Sequence, residues 1–282
     1  MIVGALVFFI IANTLLADPH AGAAPLEPAS DTGPCSLAQT VPATIVLVDD
    51  DFDLLLDDGR RVALAGIELP SANGENAKLH ALAWQRLSNW LAGAQVYLAA
   101  LAPAPDRWGR LPAQVIAAAD SAADSPYVSV GAIILTEGLA RFRPDPAAAS
   151  CSKLYLDAEG AARNSSLGLW ANDPIIQIGD EIATSTATLL GKKGMAIVAG
   201  TVNSVGETKG SIYLNLGRRG VLDFAVMISQ RNLAIFEKVG VFPRALRGQR
   251  VRVRGLIETN TGPRMEIASP AELELLDRGA AQ

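Results

Sequence analysis

From Ala43 to Pro70 the chain reads ATIVLVDDDFDLLLDDGRRVALAGIELP, in which two β-rich runs flank DDG. An Asp-Gly pair between such runs is a hairpin signal, because both residues tolerate the positive φ of a tight turn. A third strand is predicted over Arg61–Ile67, ending at GIELPS. ENAKLHALAWQRLSNWLAG then changes the period. Leu79, Leu82, Ala83, Leu87, Trp90 and Leu91 share one helical face, and Gly93 supplies a C-terminal cap. QVYLAALA and LPAQVIAA follow as strands four and five, joined by a loop that contains DRWGR. VSVGAIILTEG predicts a short helix closed by Gly138, and CSKLYLDAEGAARNSSLGLW a final one. Three strands, a helix, two strands and two helices suit a small five-stranded barrel with packed helices, a mainly β, α+β class.

The 282 residues are enough for two domains with their own cores, and half of them are apolar. MIVGALVFFIIANTLLA is an unbroken apolar run, and Ala21-Gly22-Ala23 offers the small residues of a cleavage site. Residues 1–24 therefore read as a secretory signal, and 25–41 as a flexible tail. No Lys or Arg precedes the run, so an uncleaved anchor in the inner membrane is the alternative to a periplasmic or secreted protein. No membrane span is expected beyond that segment. In an exported chain Cys35 and Cys151 suggest one disulfide, and two free buried thiols are the other reading. The chain has only His20 and His80. That excludes a multi-histidine zinc site and leaves catalysis to carboxylates, arginines and a hard cation. His80 is expected on a helix surface.

Charge divides the chain. From Lys192 onward 14 basic residues face 8 acidic ones, while the remainder carries a net charge of −11. This asymmetry predicts a domain over 42–172, a linker over 173–194 and a basic domain over 195–276. The second domain reads strand, turn, strand, strand, helix, hairpin, the order of an OB-like barrel. Arg250, Arg252 and Arg254 alternate along one strand, and with Arg218 and Arg219 they suggest a stripe for nucleic acid or another polyanion. A charged face docked on the acidic first domain is the alternative. Aromatics for base stacking are few: Tyr213, Phe224, Phe236 and Phe242.

Four fragments, VDDDFDLLLDDGRRVALAGIELP, DRWGR, VGAIILTEGLARF and AEGAARNSSLGLW, lie in an order and spacing that resemble the thermonuclease (staphylococcal nuclease-like) family. The resemblance spans roughly 43–170 and implies an OB-like barrel with three helices. It also implies calcium-dependent hydrolysis of phosphodiesters in DNA and RNA. Arg110 falls on the family's second phosphate-clamping arginine, with Trp108 as the aromatic of that motif and Arg107 beside it. Ala63 falls where the first catalytic arginine belongs, and Ser71 where the glutamate that handles the attacking water belongs. Glu68 replaces a metal-binding aspartate. The family's DGDT pair falls on Asp50 and Phe52 without a gap, or on Asp51 and Asp53 with one extra residue.

A fixed cation aimed at the developing charge contributes about 10²–10³ in rate, and a positioned general base about 10²–10⁴. Their replacement predicts an exported, degenerate thermonuclease-like barrel that binds nucleic acid, another polyanion or an envelope protein. The alternative is an altered calcium-dependent nuclease using Arg110, Arg61 and Glu68, with calcium held by Asp51, Asp53 and Glu68. A structural scaffold is a third reading.

Overall fold

The computed structural model describes residues 40–172, 175–179, 189, 191, 194–217, 224–259 and 262–276. The expected signal, most of the tail, Cys35, Arg218 and Arg219 lie outside the described residues. The described residues belong to one compact unit.

The first barrel is built from β1 (Val41–Val48), β2 (Leu54–Leu56), β3 (Arg61–Leu64), β5 (Gln95–Ala100) and β6 (Arg110–Ala118). The order β3-β2-β1-β5-β6 closes through a parallel β3–β6 pairing that sets Arg61 beside Arg110 and Leu64 beside Ala113. The alternation seen in the sequence places Ile45, Leu54, Leu56, Val62, Leu98 and Val115 inside. Helix α1 (Ala77–Leu91) leads into β5 and caps the barrel with Ala83, Leu87 and Leu91. Leu82, expected on that face, is 53 % exposed. The wide apolar stripe thus overstates what a single barrel mouth can cover.

The third strand also stops earlier than expected. It ends at Leu64, and the chain resumes as β4 (Ile67–Glu68), which leaves the barrel to pair with β8 (Arg141–Phe142). The predicted short helix is preceded by a strand, β7 (Tyr127–Ser129), and begins as α2 (Val130–Thr136), where the Ser129 hydroxyl accepts the Ala132 N–H. The last predicted helix is two pieces, α3 (Ser152–Asn164) and α4 (Leu169–Asn172).

Two fragments of the sequence owe their glycines to close approach. Tyr155 of α3 donates to Gln114 Oε1 at 2.6 Å, and a Cβ at Gly131 would sit 2.6 Å from the Tyr155 hydroxyl. Burial pushes that phenol up to about 12. The turns ending α2 and α3 meet backbone to backbone. A Cβ on Gly138 would lie 2.4 Å from the Leu167 carbonyl oxygen, and one on Gly168 2.2 Å from that of Gly138. Leu169 N–H closes the junction by donating to Gly138 O at 2.9 Å.

The second barrel repeats the same connectivity. β10 (Met195–Glu207), β11 (Ser211–Leu216) and β12 (Phe224–Ser229) form a meander. Helix α5 (Leu233–Lys238) leads to β13 (Arg250–Glu258), and β14 (Arg264–Ile267) inserts between β12 and β13, parallel to β12. Pairing of β10 with β13 completes the ring. Residues 176–178, expected as linker, form β9 (Ile176–Ile178) parallel to β10, and β15 (Leu273–Leu276) pairs with β13.

The outer face of β13 turns toward the first barrel, and this corrects the expected cationic stripe. Arg254 is 1 % exposed. It donates to both Glu159 oxygens at 3.2 and 2.8 Å, to Phe142 O at 2.9 Å and to Glu274 at 2.8 Å. Arg252 reaches Glu274 at 2.9 Å, and Arg163 holds Glu159 at 2.5 Å. Trp170, Ala162 and Ile197 add an apolar seam. Arg254 therefore follows the second sequence reading, a charged face docked on the first domain, while Arg252 pairs with Glu274 of its own barrel and Arg250 stays exposed. Among the described residues, no helix is long and apolar enough to cross a membrane.

Candidate functional site

The β1–β2 hairpin, the start of β4 and the start of α1 surround a cleft of about 400 Å³, whose walls include Asp51, Asp53, Glu68, Ser71, His80 and Arg110. The hairpin is tied by its first carboxylate. Asp49 Oδ1 accepts the N–H of Asp51 at 3.0 Å and of Asp53 at 2.8 Å. That turn forces Phe52 to φ 66°, an uncommon conformation for a bulky residue. The ring is buried and meets the His80 ring edge-on at 4.6 Å. His80 Nδ1 lies 3.0 Å from Pro70 O. His80 is thus part of the cleft wall rather than a solvated helix face.

Asp53 is the centre of the site. Its side chain is 5 % exposed and takes Arg61 Nη2 at 2.7 Å and Arg110 Nη1 at 3.5 Å. Arg61 also holds Asp49 at 2.7 Å. Arg110 is fixed by Asp106, whose Oδ2 accepts Nε at 3.0 Å and Nη2 at 2.8 Å. Asp106 Oδ1 accepts the backbone N–H of Trp108 and Arg110, so one carboxylate shapes the whole DRWGR turn. Burial holds the Asp53 carboxyl above the usual carboxylate range, and the repulsion of Asp49 adds to it against the pull of Arg110 and Arg61. Burial acts in the same direction on Asp106, but hydrogen bonds from Arg110 and Trp108 outweigh it and hold the group below the usual range. The hydrogen bond to Asp49 raises the Arg61 guanidinium further, and that to Asp106 does the same for Arg110.

The structure therefore brings Arg61 and Arg110 together, but against carboxylates. Ala63 and Ser71 also line the cleft and offer neither a guanidinium nor a carboxylate. Glu68 lies in the wall on β4, in register with Arg141. The predicted calcium ligands do not converge. Among the described residues no three His, Cys, Asp or Glu side chains come together as a metal site, and the Asp53 oxygens face arginines. The residues present do not fit a calcium ion held by Asp51, Asp53 and Glu68.

Arg107 and Trp108 stand outside the cleft. Trp108 is exposed, with the guanidinium carbons of Arg107 and Arg110 at 3.9 and 4.8 Å from its ring centre. Arg250 is exposed beside Gln177. Cys151 is buried in the first core, with Ser150 Oγ at 3.8 Å. Asp49 was not singled out by sequence reasoning. Its signal is the Asx-turn position at the head of the acidic run.

Releasing Asp53 from its charge tests this geometry. Asp53→Asn is expected to raise affinity for inorganic phosphate several-fold at neutral pH, because the two guanidiniums lose their shared anion. In the unsubstituted protein the same gain should come as pH falls. A carboxyl held above its ordinary range takes up its proton first, and neutral Asp53 no longer competes with an added anion. Calorimetric titration across that range checks both, and equal affinity in the two proteins refutes the idea. Compared with models of known protein families and with curated proteins, the chain matches none.

Proposed function

We propose that the protein is an exported, thermonuclease-like protein whose first barrel keeps the cleft of that family without its catalytic constellation. It works as a binding or envelope-interaction module with little or no nuclease activity. The observation that carries this reading is buried Asp53, against which both nearby arginines are neutralised. A phosphodiester entering the cleft would have to displace Asp49, Asp53 and Asp106 before either guanidinium could stabilise its charge. The conformation of Phe52 favours the register in which Asp51-Phe52-Asp53 stands for the family's Asp-Gly-Asp, because a positive φ is the natural place for that glycine. In this register the second aspartate is the one bound by arginine, which argues further against a bound cation. Nucleic acid or another polyanion remains a candidate partner through exposed Arg107, Trp108 and Arg250. In the exported setting we also assign a Cys35–Cys151 disulfide.

A second reading, an altered phosphodiesterase, draws support from Arg61, which lies two residues before the expected arginine position yet reaches Asp53. The two separate in one assay on single- and double-stranded DNA, with calcium or with chelator, beside Arg110→Ala. The expected result is no calcium-dependent cleavage at high protein concentration. Cleavage that disappears in Arg110→Ala would replace the first reading by the second.

A further inference from the structure

We propose that the outer cap of the second barrel is a docking surface for an anionic lipid bilayer. The proposal deepens the envelope-interaction reading and rests on it. Helix α5 turns Leu233 and Phe236 into the core. Its outer face carries Ile235, and the C-capping Val239 lies four residues on. They are 49 % and 62 % exposed, and Phe242, on the turn that follows, is 55 % exposed. Arg244 ties that turn back to the helix, with Nη1 at 3.7 Å from Glu237, and also pairs with Glu207. A surface helix ordinarily presents polar residues on its outer face. Here Ile235 stands there instead, and the exposed apolar side chains Val239 and Phe242 follow just past the end of the helix.

The surrounding charge identifies the occupant. From Arg231 to Arg250 the chain holds five basic residues and one acidic one. Arg231, Lys238 and Arg247 are exposed and make no ion pair among the described residues. Exposed apolar side chains on a segment with this excess of basic residues suit the boundary between anionic headgroups and acyl chains, where apolar insertion and charge attraction add. Base stacking would instead call for aromatic platforms, and Phe242 is the only exposed aromatic in this segment. The N-terminal apolar run, in the export reading on which this proposal rests, would bring the chain to such a surface.

The test uses protein from Pro25 to Gln282. It retains every described residue and lacks the N-terminal apolar run, so that run cannot contribute. Sedimentation with vesicles of phosphatidylcholine alone, or mixed with phosphatidylglycerol, reads the affinity. The mixed vesicles are expected to bind, with the affinity falling in high salt. Arg231→Ala and Arg247→Ala should each weaken binding roughly fivefold. Ile235→Ser with Val239→Ser and Phe242→Ser should weaken it at least about tenfold, by loss of apolar insertion, with an unchanged melting temperature since all three side chains are exposed. Absence of binding to the mixed vesicles, or equal binding by the triple variant, overturns the proposal. So does an oligonucleotide that binds the same arginines and is insensitive to the triple variant. Cell fractionation separates the two readings. Protein retained in the cytoplasm sinks the export reading, while the vesicle result stands on its own.

Discussion

Gly168→Ala is expected to destabilise the protein by more than about 3 kcal/mol, the range reached when backbone strain and a steric clash coincide. Gly168 has φ 52°, and the added Cβ would lie 2.2 Å from the Gly138 carbonyl oxygen, a backbone atom that cannot rotate away. That oxygen also accepts the Leu169 N–H, so any shift loosens the α2–α3 junction and the Trp170 seam beyond it. Gly138→Ala should behave alike, with its Cβ 2.4 Å from Leu167 O. Gly59→Ala is the control. Its φ is also positive, at 84°, but nothing lies within 4 Å of the new Cβ. Its cost should stay near 1 kcal/mol, from strain alone. Urea unfolding of the three variants measures the contrast, and similar midpoints for Gly168→Ala and Gly59→Ala would refute it.

The second large effect lies in the ion cluster between the barrels. Glu159→Gln is expected to cost about 3–5 kcal/mol, the range for removing one partner of a buried pair. Glu159 is fully buried and accepts from Arg254, Arg163 and the Phe142 N–H, so its loss leaves three arginines facing Glu274 alone. The barrels have separate cores. The variant should therefore unfold in two calorimetric transitions where the unsubstituted protein shows one. A single transition within about 1 kcal/mol of the parent, the range of a harmless surface change, would overturn this.

The pH dependence of the same cluster has a definite sign. Burial tends to raise the Glu274 carboxyl, but Arg254, Arg252 and Arg163 overcome it and hold the group below its ordinary range. A lowered folded value means that the cluster stabilises above the unfolded carboxylate range. That stability is lost as pH falls through the folded value.

The sequence was informative about the elements and poor about the occupation of charges. Period and turn chemistry located the β1–β2 hairpin, α1 and the β10–β12 meander, because side-chain alternation and capping are local. The same logic failed at Leu82, which satisfies the helical period yet faces water, and at β4, where the chain leaves one sheet for another. Neither outcome is local. Arg110 was legible as a candidate through the family motif that DRWGR resembles, and Arg61 through its place two residues before Ala63 on the same strand. Their neutralisation by Asp53 was not, since it depends on the parallel β3–β6 register.

What the sequence determined alone is thus the periodicity of each element, the turns between them and the scarcity of histidine that removes whole classes of chemistry. The tertiary structure decided which charges meet. Arg254 looks outward in a strand pattern, and it is buried because the first barrel lies across that face. Pairing a charge requires a partner brought from a distant part of the chain, and the position of that partner is a property of packing that no local period encodes.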